Sequence, residues 1–506
     1  MKATKYVYVI TFVTSAFLQQ LTGQSLYHEM HRPQIHFSQK ANWMNDPNGM
    51  VFYKGVYHLF FQYYPDSTVW GPNHWGHATS KDLVHWTEGP VALSPDSLGL
   101  MASGSAVVDA NNTSGFGKNG KIPLVAIFTH INYKAPKEKL DSSQYQSIAY
   151  SLDEGKTWTK YANNPVVKSP GTRDFRDPKV IWYETGQKWV MTVATKDRVT
   201  FYSSKDLKNW IKESEFGKEA GAHGGTWECP DLFYLELKGE KIWVLMCSIN
   251  PGGPNGGSAT QYFIGQFDGK NFVPAHTDTR WVDYGTDNYA GVTWFNTGNR
   301  KIFLGWMSNW QYANVVPTAR WRSAMTIPRE LKLNRVGNDI FVISQPVREL
   351  SNIESQPIVA QNVQIIKSYS LSTKTNKTPI PGRIDMRLEE IRDFSIVLSN
   401  DLGEQVVLGY DVKQRQYYTD RTRSGKVDFH KNFAGKHVAP RLTDAKSMNL
   451  SLIIDVSSIE LFADDGLSVM TEIFFPSTPY NKITVQSADN VTIKKLSFSH
   501  LKNIWY

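Results

Sequence analysis

Past its first 25 residues the chain is a succession of short apolar runs without a helical period. "VYHLFFQYY" (56–64), "IPLVAIFTH" (122–130), "KWVMTVATK" (188–196), "KIWVLMCSI" (241–249) and "KIFLGWMSNW" (301–310) are rich in Val, Ile, Phe, Tyr and Trp. Gly, Asn, Asp or Pro bounds each run, the pattern of strands set between tight turns. Later, "NLSLIIDVSSIELFADDG" (449–466) alternates apolar and polar positions, as strands with one buried face do. Only residues 346–360, "PVRELSNIESQPIVA", read as a short helix and linker. The expected fold class is all-β.

A weak repeat refines that expectation. "ATSKDLVHW" ends at Trp86, "AYSLDEGKTW" at Trp158 and "YSSKDLKNW" at Trp210, and "GQFDGKNF", ending at Phe272, reads as a degenerate fourth copy. Each is a strand, a tight polar turn and an aromatic that opens the next strand. Recurrence at roughly 50–70 residues in a β chain points to propeller blades. Beyond "TIPRELKL" tryptophan is absent until Trp505, which suggests a separate β-sandwich. A chain of 506 residues is also too long for one ordinary core. The expected division is a signal peptide at 1–25, a propeller at 26–345, a linker at 346–360 and a sandwich at 361–506.

The start of the chain carries its own signal. Lys2 and Lys5 precede about 13 mostly apolar residues, "YVYVITFVTSAFL", and then the polar "QQLTGQS". This is the layout of a secretory signal peptide, and the run is too short to span a bilayer. A secreted, extracellular protein without a membrane anchor is expected. Only Cys229 and Cys247 are present, so no disulfide framework supports the fold. Sequons stand at Asn111, Asn112, Asn376, Asn449 and Asn490. The net charge of +8 comes from Lys and Arg interleaved with acids, which describes a solvated surface and not a nucleic-acid stripe. Aromatic residues reach 13 %, with 16 Trp and 24 Tyr, which suits either a β core or flat faces for stacking on sugars.

Three acids sit in turns beside apolar strands. Asp46 in "NDPNG" and Asp177 in "FRDPK" form the only Asp-Pro steps of the chain, and Glu228 in "GTWECPDLF" lies two residues before Pro230. Proline fixes its own φ and pushes the residue before it toward extended geometry, so such acids are expected on a stiff backbone. Other constellations fit less well. "GFGKNG" (115–120) precedes a strand where a dinucleotide site needs a helix. His74 and His77 in "HWGH" would face opposite sides of a strand. Cys229 has no histidine near it in sequence and reads as a small buried thiol.

"WMNDPNG", "FRDP" and "WECPD", in this order and spacing, resemble the three acidic motifs of glycoside hydrolase family 32, which contains invertases, exo-inulinases and levanases. "FQYYPDSTVWGPNHWGHATSKDLVHW", "SGSAVVD", "GWMSNWQY" and "IELFADDG" extend the likeness over the whole chain after the leader. The resemblance implies a five-bladed β-propeller followed by a C-terminal β-sandwich. It implies a retaining β-fructofuranosidase acting on terminal fructose units of sucrose or a fructan. No cofactor, metal, nucleic acid or membrane partner is expected; oligomeric state stays open. By motif, Asp46 would be the nucleophile, Glu228 the acid/base and Asp177 a transition-state stabiliser. Asn45, Gln62, Trp70, Ser103, Arg176 and Trp310 match fructose-contacting positions. The chain departs from the pattern at Ala102, where the family often has Phe before "SGS".

The chemistry needs one anionic and one protonated carboxyl. Asn45 and backbone N–H groups are expected to keep Asp46 ionised, Trp227 and Cys229 to favour the protonated form of Glu228, and Arg176 to hold Asp177 charged. The alternatives are an inverting glycosidase or a fructosyltransferase on the same fold, and a non-catalytic sugar-binding propeller.

Overall fold

The computed structural model describes residues 26–371 and 379–505. The signal-peptide reading of 1–25 and the sequon at Asn376 lie outside the described residues. Five antiparallel meanders account for the chain up to Pro346. The first comprises Asn42–Tyr53, Val56–Tyr64, His74–Ser80 and Thr87–Glu88. The second runs from Leu100–Val108 to Thr159–Lys160, the third from Phe175–Tyr183 to Ile211–Phe216, and the fourth from Thr226–Leu237 to Phe272–Pro274. The fifth joins Tyr289–Thr293, Lys301–Met307, Arg329–Val336 and Asp339–Pro346. The first strands of the five sheets pack against one another around the ring, the arrangement of a five-bladed propeller.

The sequence repeat marks one place in these blades, the turn from third to fourth strand. Asp82 accepts from the N–H groups of Val84 and His85, Asp206 from those of Lys208 and Asn209, and Asp268 from those of Lys270 and Asn271. Asp153 accepts from the N–H of Thr157 in the same way. The closing Trp86, Trp158 and Trp210 each return an indole N–H to a carbonyl three residues earlier. Such Asx turns give the chain a local alternative to the ladder just where a strand must end.

Two six-stranded sheets follow, packed face to face around Ile384, Met386, Ile396, Leu398, Leu452 and Ile454. The expected short helix is a 3₁₀ turn at Arg348–Ile353. It is not alone, since Lys137–Ser142 forms another. Strand Ile358–Ile365 begins inside the stretch read as linker, because Ile358, Val359 and Ala360 pair with Phe498, Ser497 and Leu496.

The junction between propeller and sandwich is charged and buried. His36 places Nδ1 2.8 Å from Asp455 and Nε2 2.8 Å from Glu460. Arg329 binds Glu460 and reaches Asp283 at 2.9 Å, while Arg421 lies 2.6 Å from Asp287 and 3.0 Å from Glu472. The first and last stretches of the described residues meet at the same junction. Tyr27 stacks on Trp505 at 3.9 Å, and Trp505 Nε1 donates to the Pro33 carbonyl at 2.6 Å.

Burial alone would lower the His36 pKa, yet Asp455 and Glu460 outweigh it and raise the value to about 9. A raised folded-state pKa contributes stability that is complete below the unfolded value of about 6.5 and is lost as pH climbs through about 9. The shift corresponds to about 3 kcal/mol. Urea unfolding of the protein and of His36→Gln should therefore show a stability gap that is widest near pH 6 and narrows toward pH 9. A gap independent of pH would contradict the charged state of His36.

Candidate active site

Each blade's first strand is interrupted at the same level. Register shifts fall between Met44 and Pro47, Met101 and Gly104, Arg176 and Lys179, Glu228 and Asp231, and Tyr289 and Val292. A bulge puts two residues opposite one, bends the strand and re-aims its side chains. Proline or glycine stands at or beside all five: Pro47, Gly104, Pro178, Pro230 and Gly291. The residue ahead of proline was expected in extended geometry. Asp177 (φ 63°) and Cys229 (φ 47°) instead lie in the left-handed region, as does Ala290 (φ 53°). The bulge overrides the local preference of the proline and stores strain at the centre of the ring.

The bulges deliver the predicted acids to one place. Asp46 Oδ2 accepts from Ser103 Oγ at 2.7 Å, and Oδ1 from Asn45 Nδ2 at 2.8 Å. Asn45 is itself fixed by Trp43 Nε1 at 2.7 Å. Cys229 Sγ sits between the two aspartates, 3.5 Å from Asp46 Oδ2 and 3.6 Å from Asp177 Oδ2. Asp177 Oδ2 also accepts from the Cys229 N–H at 3.0 Å. Glu228 Oε1 accepts from Arg176 Nη2 at 2.9 Å, and Oε2 takes the Tyr289 hydroxyl. Arg176 reaches Asp174 as well, at 2.5 Å.

Trp310 packs beside this cluster, 4.9 Å from Trp306 and 5.9 Å from Trp43 between ring centres. Gln62 is buried on the second strand of the first blade. Trp70 lies on the rim, 47 % exposed, its backbone N–H held by Asn314 Oδ1 at 2.9 Å. Ala102 is buried in the second bulge, and its carbonyl accepts from Trp75 Nε1 at 2.9 Å. Among the described residues no group of three or more His, Cys, Asp or Glu side chains is arranged to hold a metal ion.

Electrostatics depart from the expected scheme. Burial pushes Asp46 above the ordinary aspartate range although Ser103 and Asn45 oppose it. Burial likewise carries Asp177 up to about 7; Arg176 opposes it, while Glu228 and Asp46 add to it. Arg176 was expected to keep Asp177 charged, but its Nε stands 3.9 Å from that carboxylate while its closer contacts go to Glu228 and Asp174. The Trp227 indole stacks on Phe263 and donates to the Ala222 carbonyl, while the Glu228 carboxyl is held by hydrogen bonds. Its partners are polar, Arg176 and Tyr289. Burial holds the Tyr289 phenol and the Cys229 thiol well above their usual values, so both stay protonated.

Tyr289, Asp174 and Trp43 were not among the predicted site residues. The missed cue for Tyr289 is "YAG" at the head of a strand, where Gly291 stands as Pro230 does in "ECP".

Residues 36–346 match the glycosyl hydrolases family 32 N-terminal domain, and residues 349–500 the C-terminal domain of that family. The chain is 44 % identical to a levanase of Bacillus subtilis, over 97 % of this chain and 74 % of the relative. It is 42 % identical to an extracellular exo-inulinase of Aspergillus niger, over 92 % of this chain and 93 % of that one. The crystal structure of the Aspergillus awamori exo-inulinase superimposes with a TM-score of 0.86 at 38 % identity, covering 95 % of this chain and all of that one.

Proposed function

The chain belongs to glycosyl hydrolase family 32 and is a glycoside hydrolase, and from that premise we propose how its site works. It is a β-fructofuranosidase, releasing terminal fructose from sucrose or a fructan with retention of configuration. The observation that carries this reading is the convergence of three carboxyls from three blades, with one arginine set between two of them. Relatives named for levan and inulin hydrolysis support hydrolysis over transfer. Extracellular relatives support secretion, with residues 1–25 as the leader.

In the first displacement Asp46 attacks the anomeric carbon as the glycosidic C–O bond breaks, and the Glu228 proton passes to the leaving oxygen. A fructosyl ester on Asp46 results. Water then attacks that carbon, Glu228 takes its proton, and the Asp46 carboxylate leaves. Arg176 and Tyr289 fix the two oxygens of Glu228, so the proton is presented in one direction. Asp177, part-protonated near neutral pH, can donate to one sugar hydroxyl and accept from another. Ser103 and Asn45 aim Asp46, and Trp310 and Trp70 offer faces for the ring.

A direct attack requires the two reacting carboxyls to lie about 5–5.5 Å apart when substrate is bound. Proton NMR during early turnover should then show β-fructose as first product, before mutarotation. Chromatography of an inulin or levan digest should show free fructose ahead of any short oligosaccharide. Inverted product would overturn the double displacement, and early oligosaccharides the terminal mode. Parallel digests of sucrose, inulin and levan rank the substrates.

A further inference from the structure

Arg421 stands on sandwich strand Gln416–Arg423, and its guanidinium is fully buried against the propeller. Nη1 donates to Asp287 Oδ2 at 2.6 Å, and Nη2 to the Tyr312 hydroxyl at 2.9 Å. Tyr312 in turn donates to Asp287 Oδ1 at 2.6 Å, closing a triangle. On the sandwich side Nε donates to the Phe433 carbonyl at 2.7 Å, and Glu472 balances the charge at 3.0 Å. The planar fork matches these partners at once, which a lysine ammonium cannot do.

Both propeller partners lie two residues from a site wall. Asp287 precedes Tyr289, whose hydroxyl binds Glu228. Tyr312 follows Trp310, and hydrogen bonds pin the intervening loop. Asn309 accepts from the Tyr312 N–H at 3.1 Å and donates to the Thr286 carbonyl at 2.8 Å, while Trp310 N–H reaches Ser258 Oγ at 3.2 Å. Asn314, two residues further on, holds Trp70. One buried cation of the second domain thus grips the segments that carry Trp310, Tyr289 and the support of Trp70.

We propose that Arg421 is a positioning residue for catalysis, acting through Tyr312 to set the Trp310 wall of the fructose pocket. This rests on the site assignment above, and the test separates the two. In the full-length protein hydrolysing sucrose, Tyr312→Phe should raise KM about 5- to 20-fold with kcat within about twofold, the mark of lost binding. Its thermal midpoint should stay within about 3 °C, since one hydroxyl is lost and the ring remains. Arg421→Lys should show the same KM rise and no rescue; where it fails to fold, Tyr312→Phe alone carries the test. Trp310→Ala serves as reference. A KM unchanged in Tyr312→Phe while Trp310→Ala raises it overturns the clamp and leaves the site assignment standing. A KM unchanged in Trp310→Ala overturns both. Loss of activity only in step with loss of folded protein also overturns the clamp, reducing Arg421 to a structural role.

Discussion

Asp46→Ala should lower kcat by about 10⁴-fold or more, the order expected when a covalent nucleophile is deleted. A hydroxyl or amide in its place is a far poorer nucleophile than a carboxylate. Ser103 and Asn45, which lose their Asp46 partner in this variant, offer only a hydroxyl and an amide, and the Asp177 carboxyl is held by the Cys229 N–H on another blade's bulge. The fold should survive, because the carboxylate is costly to bury and its removal relieves that cost. Circular dichroism and the thermal midpoint should match the parent. An Asp46→Ala protein with near-parental turnover would sink the assignment.

Glu228→Ala should lose about 10²- to 10⁴-fold on sucrose, the usual contribution of a general acid and base. This loss depends on the leaving group. A fructoside whose leaving oxygen needs no proton should still form the ester on Asp46, and azide, a small anion that fits the space left by the carboxyl, should then release a fructosyl azide. Asp46→Ala should gain nothing from azide by this route, since it cannot form the ester. Mass spectrometry of the products distinguishes them. Equal azide responses in the two variants would mean that Asp46 and Glu228 do not divide the work as nucleophile and acid/base. Arg176 adds a complication that can be measured: losing Glu228 leaves its guanidinium with Asp174 and Asp177, so the Glu228→Ala site should bind anions more tightly than the parent.

What the sequence made legible was local. Asp46, Asp177 and Glu228 could be picked out because each stands near a proline at the head of an apolar run, although the expected turns are bulges within strands, and the Asx turns before Trp86, Trp158 and Trp210 betrayed the blades. What stayed hidden depends on partners distant in sequence. The left-handed φ of Asp177 comes from a bulge against the next strand, which no dipeptide rule contains. The proton affinity of Asp177 follows from burial among Asp46 and Glu228, 131 and 51 positions away along the chain. Tyr289 carries no motif, and only its place in the fifth repetition of the bulge gives it meaning. The ion pairs of the junction were likewise silent, since His36 and Arg421 look like any surface residues until Asp455 and Asp287 are brought to them.

The contacts of Tyr27 and Pro33 with Trp505 constrain the order of assembly. A ribosome makes the stretch from Tyr27 to His36 long before the residues that hold it. Pro33 and Trp505 are separated by 472 positions. At about 5–20 residues per second, the leading segment waits roughly half a minute to a minute and a half for its partner. Until Asp455 and Glu460 emerge His36 lacks both carboxylates, and until Trp505 emerges Tyr27 lacks the ring it stacks on, so the junction closes late. A nascent chain stalled short of residue 455 should therefore stay sensitive to protease around residues 27–36, however complete its first blades, and one extended past Trp505 and clear of the ribosome should be protected there.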